Sequence, residues 1–308
     1  MNLGYVGLGN MGGALARRLM LKEKLRVYDL RPEVTAAFAR EGAVPAQNLE
    51  ALGRESDLVM TCLPTSKEVR AAVFGPGGLL AGLKPGAIVA DMTTGDPAAT
   101  REMAAEAADR GITLVDAPVS GGPEGAASGR LAIWVGGERD VFDRHLALLQ
   151  ALSDKPAYIG ETGAGTIAKL VHNMTSLGIS AVLGEMMTVG VKAGLDPLAL
   201  FEAIRSGAAG RARSFDKFGK RILAGDLDTP SFQLRLAYKD AGLALRLARE
   251  FDVETTLSDA IYETMTEAMD RGWGGRDSQA FLLLQQERAG IPPMKVDPHE
   301  LQAVFDRT

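Results

Sequence analysis

The sequence predicts two successive parts: a doubly wound α/β domain on a mostly parallel sheet, then an all-helical domain. Three observations carry this. Short apolar runs alternate with longer amphipathic ones through the first half of the chain. A glycine-rich turn lies between the first apolar run and the first amphipathic one. The alternation stops at Gly163-Ala-Gly165, and no period-two pattern follows it. The boundary is therefore placed between residues 1–162 and 163–308.

In chain order, the short apolar runs predict strands at Asn2–Val6, Leu25–Asp29, Asp57–Cys62, Ala87–Asp91, Ile112–Asp116, Leu131–Val135 and Ala157–Ile159. The amphipathic runs between them predict helices at Met11–Leu21, Pro32–Arg40, Lys67–Phe74, Pro97–Arg110 and Val141–Leu152. Beyond Gly165 come helical stretches punctuated by Gly and Pro: Thr166–Ala193, Pro197–Ser206, Ser214–Leu223, Ser231–Phe251, Leu257–Arg271 and Asp277–Arg288. The first of these would run roughly 40 Å at 1.5 Å per residue, long enough to link two domains. From Pro292 the chain is polar and proline-rich, and is expected to lie along the surface.

Bulk properties exclude several functions. A chain of 308 residues with 46% hydrophobic and 24% charged content can bury one large core or two smaller ones. A net charge of -5 without a basic run argues against a nucleic-acid partner. The single cysteine, Cys62, cannot form an intrachain disulfide and suits a reducing cytoplasm. His145, His172 and His299 are too scattered for a metal site. Glu185 and three glycines interrupt the apolar stretch from Met174 to Val191, which argues against a membrane span. The opening residues do not resemble a signal peptide.

The run Gly7-Leu8-Gly9-Asn10-Met11-Gly12 has the spacing of a dinucleotide-binding turn between strand and helix. Gly7 permits the tight turn, Gly9 admits a pyrophosphate to the backbone, and Gly12 lets the helix pack closely on the sheet. The helix N-terminus offers N–H groups and a positive dipole end to phosphate. Asp29 ends the second strand 20 residues after Gly9, where a carboxylate meets ribose hydroxyls. It favours NAD over NADP by repelling a 2′-phosphate, while Arg31 keeps NADP open.

Lys169 and Asn173 are four residues apart, on one face of the first long helix. At the lip of a cleft a lysine loses hydration, and its pKa moves toward that of an acid/base catalyst. Asn173 supplies a neutral donor and acceptor. Asp116-Ala-Pro-Val-Ser120-Gly121-Gly122 follows a strand and presents a hydroxyl and bare N–H groups suited to a carboxylate. Tyr238-Lys239-Asp240 lies on a later helix.

These four segments, in this order, resemble the β-hydroxyacid dehydrogenase family, which includes 3-hydroxyisobutyrate dehydrogenase and tartronate semialdehyde (2-hydroxy-3-oxopropionate) reductase. The resemblance covers nearly the whole chain. It implies a Rossmann domain, a long connecting helix, a helical domain, and a homodimer or homotetramer. It makes Lys169 the catalytic acid/base and gives Ser120, Gly121, Gly122 and Asn173 to the substrate. Leu63, Pro64 and Thr94 would line the cofactor, and Lys239 would approach the nicotinamide side with Asp240 beside it. Glu68 stands where relatives often have asparagine, so no contact is carried over there. Pro123 and Glu124, which follow the Ser-Gly-Gly turn, do not specify a substrate.

The expected reaction is hydride exchange between NAD(P) and the 3-hydroxyl carbon of a small 3-hydroxy acid such as 3-hydroxyisobutyrate. Glycerate/tartronate semialdehyde and L-serine are alternatives within the class; a non-catalytic dinucleotide-binding module is the alternative outside it. Arg211 and Arg213 are candidates for a second anionic group. Met174, Met186 and Met187 are expected in the helical core or at a subunit interface.

Overall fold

The structure is a computed structural model describing residues 1–207 and 213–306, with Glu185, Met186, Val189 and residues 213–215 described by backbone alone. The chain forms two compact units, Met1–Leu170 and Val171–Thr308.

The first unit is built on one sheet. Its strands are β1 (Leu3–Val6), β2 (Leu25–Tyr28), β3 (Val44–Pro45), β4 (Leu58–Thr61), β5 (Ile88–Asp91), β6 (Thr113–Asp116), β7 (Val119–Ser120), β8 (Ala132–Gly136) and β9 (Lys155–Gly160). They lie in the order β3-β2-β1-β4-β5-β6-β8-β7, with β9 also paired to β8. Every pairing from β3 to β6 is parallel, whereas β8 runs antiparallel to β6 and β7. Strand order reverses at β1, which has β2 on one side and β4 on the other. A crevice opens at the carboxyl ends of strands at such a reversal, and ligands of doubly wound sheets bind there.

Helices cover both faces, so β1, β4 and β5 are buried at every position rather than at alternate ones. Along β4, Leu58 and Met60 join one buried cluster with Tyr5, Leu15 and Val27; Val59 joins another with Val69, Val89 and Met103. The second unit is helical, with Met187, Phe201, Phe218, Met265, Phe281 and Leu284 in its core. Met174 packs on that core.

Several elements differ from the sequence expectation. β3, two exposed residues ending in Pro45, carries no apolar run to betray it. Helices Leu49–Arg54, Leu79–Gly82 and Gly122–Ser128 are too short to establish a helical period. The stretch after Pro292 is not confined to the surface: Met294 is buried, and helix Pro298–Asp306 buries Leu301 and Val304. Two apolar residues three apart are enough to dock one helical turn. The helix expected from Asp277 begins later, as a 3-10 turn at Ala280–Leu282 leading into Leu283–Ala289. The Asp277 carboxylate accepts from the Gln279 backbone N–H at 3.1 Å, a local turn that competes with helix. No helix among the described residues is long and apolar enough to cross a membrane.

Candidate active site

The glycine turn joins β1 to helix Asn10–Met20. Gly7 has φ +93°, and a Cβ there would lie 2.3 Å from the Cys62 carbonyl oxygen on the turn after β4. A Cβ on Gly12 would lie 2.0 Å from the Gly7 oxygen. Both glycines are thus demanded by the packing of the protein itself. Gly9 is different: beyond its immediate chain neighbours, no atom of the described residues lies within 4 Å of its Cβ position, and it caps the helix without any side-chain bond to the first turn. The open approach and the helix N–H groups fit a dinucleotide pyrophosphate.

Asp29 follows β2. Its carboxylate accepts from Leu8 N at 2.8 Å, Arg31 N at 3.0 Å and Arg31 Nε at 2.9 Å. Burial raises its pKa, but the Arg31 guanidinium and the two backbone N–H groups outweigh this and hold it below the ordinary range. Arg31 itself is 55% exposed and can swing away, so the pair can offer a carboxylate to a diol or a cation to a phosphate.

The turn after β4 brings Leu63 and Pro64 to the same end of the sheet. Leu63 N donates to Thr93 Oγ1 at 3.0 Å, while Asp91 Oδ1 accepts from Thr61 Oγ1 at 2.8 Å and Thr93 N at 3.1 Å. Thr94 is the next residue, half-buried before helix Pro97–Ala108. Sequence reasoning missed the Asp91–Thr93–Leu63 chain because its members lie 30 residues apart or sit inside an apolar strand. Glu68 has a structural role: it accepts from the Thr65 hydroxyl, and Thr65 Oγ1 accepts from Lys67 N at 3.1 Å, capping helix Ser66–Phe74.

Asp91 also gives a pH prediction. Burial pushes its carboxyl up to about 6, with the nearby Asp116 charge adding to the rise and bonds from Thr93 and Thr61 opposing it. A native pKa above the unfolded one favours the fold while the group is protonated. That stabilisation is complete below about pH 4 and lost as pH rises through about 6. Two pKa units correspond to about 3 kcal/mol. Between pH 4 and pH 7, urea unfolding should show the wild type losing about 3 kcal/mol relative to Asp91→Asn; parallel profiles would refute the shift.

Ser120 ends β7, where it pairs with Ala132 of β8. Gly121 and Gly122 follow at φ +143° and +67°, and a Cβ on Gly121 would lie 2.8 Å from Leu131 Cβ. Only glycine adopts this pair of conformations readily.

Lys169 lies on helix Ala164–Lys192, in the part belonging to the first unit, and is half-buried. Burial pushes the Cys62 thiol up to about 12 and the Asp91 charge adds to this, but the Lys169 ammonium acts on it in the opposite sense. The lysine charge is therefore felt at the turn after β4. The helix start is held by Asp116 at the end of β6. Asp116 Oδ1 accepts from Gly163 N at 2.7 Å, and Oδ2 accepts from Thr166 N at 2.6 Å and Thr166 Oγ1 at 2.9 Å.

In the second unit, Asn173 Nδ2 donates to Asp240 Oδ2 at 2.6 Å, and Lys239 Nζ lies 3.0 Å from Asp240 Oδ1. Asp240 is 2% exposed, so its oxygens serve these neighbours. Arg211 and the side chains of Arg213 and Met186 lie outside the described residues. Among the described residues no group of three His, Cys, Asp or Glu could hold a metal ion.

Residues 2–160 match the family model for the NAD-binding domain of 6-phosphogluconate dehydrogenase. Residues 163–284 match the model described as NAD-binding of NADP-dependent 3-hydroxyisobutyrate dehydrogenase. The chain is 35% identical over 294 residues to 2-(hydroxymethyl)glutarate dehydrogenase of Eubacterium barkeri, covering 94% of this chain and 97% of that one. It is 33% identical over 262 residues to 3-hydroxyisobutyrate dehydrogenase of Pseudomonas aeruginosa, covering 83% and 88%. Among solved structures, it matches 3-hydroxyisobutyrate dehydrogenase from Salmonella typhimurium with a TM-score of 0.83 at 28% identity, covering 92% and 99%.

Proposed function

The chain belongs to the β-hydroxyacid dehydrogenase family, and from that premise we propose that Lys169 is the proton-transfer group of its reaction. The activity itself, NAD(P)-dependent oxidation of 3-hydroxy acids, comes with the family. What supports the proposal is the half-buried setting of Lys169 on helix Ala164–Lys192, in the same unit as the glycine turn, with the start of that helix bonded to Asp116 at the end of β6.

The turn Gly7-Leu8-Gly9-Asn10-Met11-Gly12 would take the pyrophosphate at Gly9 and the helix N–H groups, with Gly7 and Gly12 shaping it; Asp29 and Arg31 would hold the ribose, and Leu63, Pro64 and Thr94 would border the ring. When bound, the nicotinamide supplies a carbon that accepts or returns hydride. Lys169 removes the hydroxyl proton of the substrate in oxidation and returns it in reduction. Ser120, Gly121 and Gly122 hold the carboxylate. Asp240 takes one N–H of Asn173, which orients the amide that the family resemblance gives to the substrate; the same resemblance gives Lys239 to the nicotinamide. NAD is the preferred cofactor, because the carboxylate of Asp29, directly after β2, would accept from ribose hydroxyls and repel a 2′-phosphate.

The proposed substrate class is supported by chemistry that two of the similar relatives share. 3-Hydroxyisobutyrate and 2-(hydroxymethyl)glutarate each carry a hydroxymethyl group on the carbon next to a carboxylate. We assign this chain a substrate HOCH2–CHR–COO⁻, with 3-hydroxyisobutyrate first. The domains are proposed to meet at residues 162 and 163. Self-association through the helical domain is supported by Val171, Ile179 and Val182, which are exposed on one helix face. A cytoplasmic location is supported by the single, unbridged cysteine.

Following NADH and NADPH absorbance with 3-hydroxyisobutyrate, glycerate, L-serine and 2-(hydroxymethyl)glutarate tests the reading. At least one should give a kcat/KM about 100-fold above lactate or malate, a difference of roughly 3 kcal/mol in transition-state binding. Cofactor binding without turnover of any of them would mark a non-catalytic module.

A further inference from the structure

We propose that Asp116 is a positioning residue for the reaction: its carboxylate clamps the first turn of the helix carrying Lys169 and thereby sets where the ammonium sits. This rests on the reading of Lys169 as the acid/base.

The first N–H groups of a helix have no partner within it. Here one buried carboxylate meets three donors from that turn: Gly163 N, Thr166 N and Thr166 Oγ1. These are charge-assisted bonds, placed where the helix dipole favours an anion. They come from both oxygens, so asparagine, with one acceptor oxygen, cannot reproduce them. Asp116 is 1% exposed, which directs it to the backbone rather than to a substrate.

The surroundings leave the clamp little play. A Cβ on Gly165 would lie 2.2 Å from the Trp134 carbonyl oxygen, and one on Gly136 would lie 2.5 Å from Asp116 Oδ1. Both glycines let the helix start seat against β8 and the carboxylate. Gly163, at φ +92°, turns the chain into that seat. Lys169 follows Thr166 by three residues, within one helical turn, so fraying or rotation of the clamped turn displaces its side chain directly. Asp116 pairs in register with Asp91, whose bonds reach the Leu63 turn through Thr93. Adjacent strand ends thus hold the cofactor turn and the lysine helix.

A misplacement of about 1 Å can cost on the order of 100-fold in rate. Asp116→Asn should therefore lower kcat about 10- to 100-fold while NADH affinity, read by fluorescence titration, stays within about threefold. The decisive readout is a double-mutant cycle with Lys169→Ala. If Asp116 acts through the lysine, Asp116→Asn changes the residual turnover of Lys169→Ala by less than about twofold. A full further loss in that background would mean a general role in the fold and overturn the inference, as would a kcat for Asp116→Asn within about threefold of wild type. Should Asp116→Asn fail to fold, Thr166→Val removes a single bond and must show the same non-additivity on a smaller loss; an unchanged or additive effect overturns the inference as well. Normal turnover in Lys169→Ala alone rejects the lysine reading itself, and so separates the two failures.

Discussion

Lys169→Ala is expected to lower turnover by about 100- to 10,000-fold, the usual worth of a positioned acid/base, or roughly 3 to 5 kcal/mol of barrier. Affinity for NADH should change by less than about threefold, because the glycine turn, Asp29 and the Leu63 turn are all intact. Lys169→Arg separates charge from proton transfer. Arginine keeps the cation but does not deprotonate in the working range, so it should be nearly as slow as alanine. Steady-state kinetics with the best substrate of the panel, beside fluorescence titration of NADH, checks both variants. Turnover near wild type in Lys169→Ala would reject the assignment, and turnover near wild type in Lys169→Arg would reduce the lysine to an electrostatic role.

Gly12→Ala is the second large effect. Its added carbon would lie 2.0 Å from the Gly7 oxygen and 3.1 Å from Cys62 Cβ, closer than packing allows. The glycine turn or its helix must move, at a cost of about 1 to 3 kcal/mol in stability, as overpacked sites show. NADH affinity should fall about 100-fold or more, since the phosphate cradle moves with them. Gly9→Ala is the informative contrast. It has φ -66° and an open Cβ direction, so the fold accepts alanine for less than about 1 kcal/mol. The added methyl instead meets the pyrophosphate, and affinity should fall with little change in melting temperature. Equal loss of stability in both variants, or full NADH affinity in Gly9→Ala, would contradict this division of roles.

The glycine turn, the acid after β2, the Lys169 helix and the Ser-Gly-Gly segment are local patterns, and each is readable from residues within about one element. The clamp is not. Asp116 stands out only as the first letter of a motif, while its three donors lie 47 to 50 residues away. Likewise, nothing beside Asp29 announces that Leu8 N would bind the same carboxylate as Arg31. The docked helix at Pro298–Asp306 was hidden because its two buried residues matter only against a core assembled from elsewhere.

By itself, then, the sequence determined the longer elements and their types: strand period, helix period, and glycines where backbone must turn or approach. Tertiary structure alone decided which carboxylate holds which N–H, which cation is felt at Cys62, and which glycines are required by packing rather than open to a ligand. The physical reason is range. Propensity and turn chemistry act over a few residues, whereas hydrogen bonding and burial act between any groups the sheet order brings together.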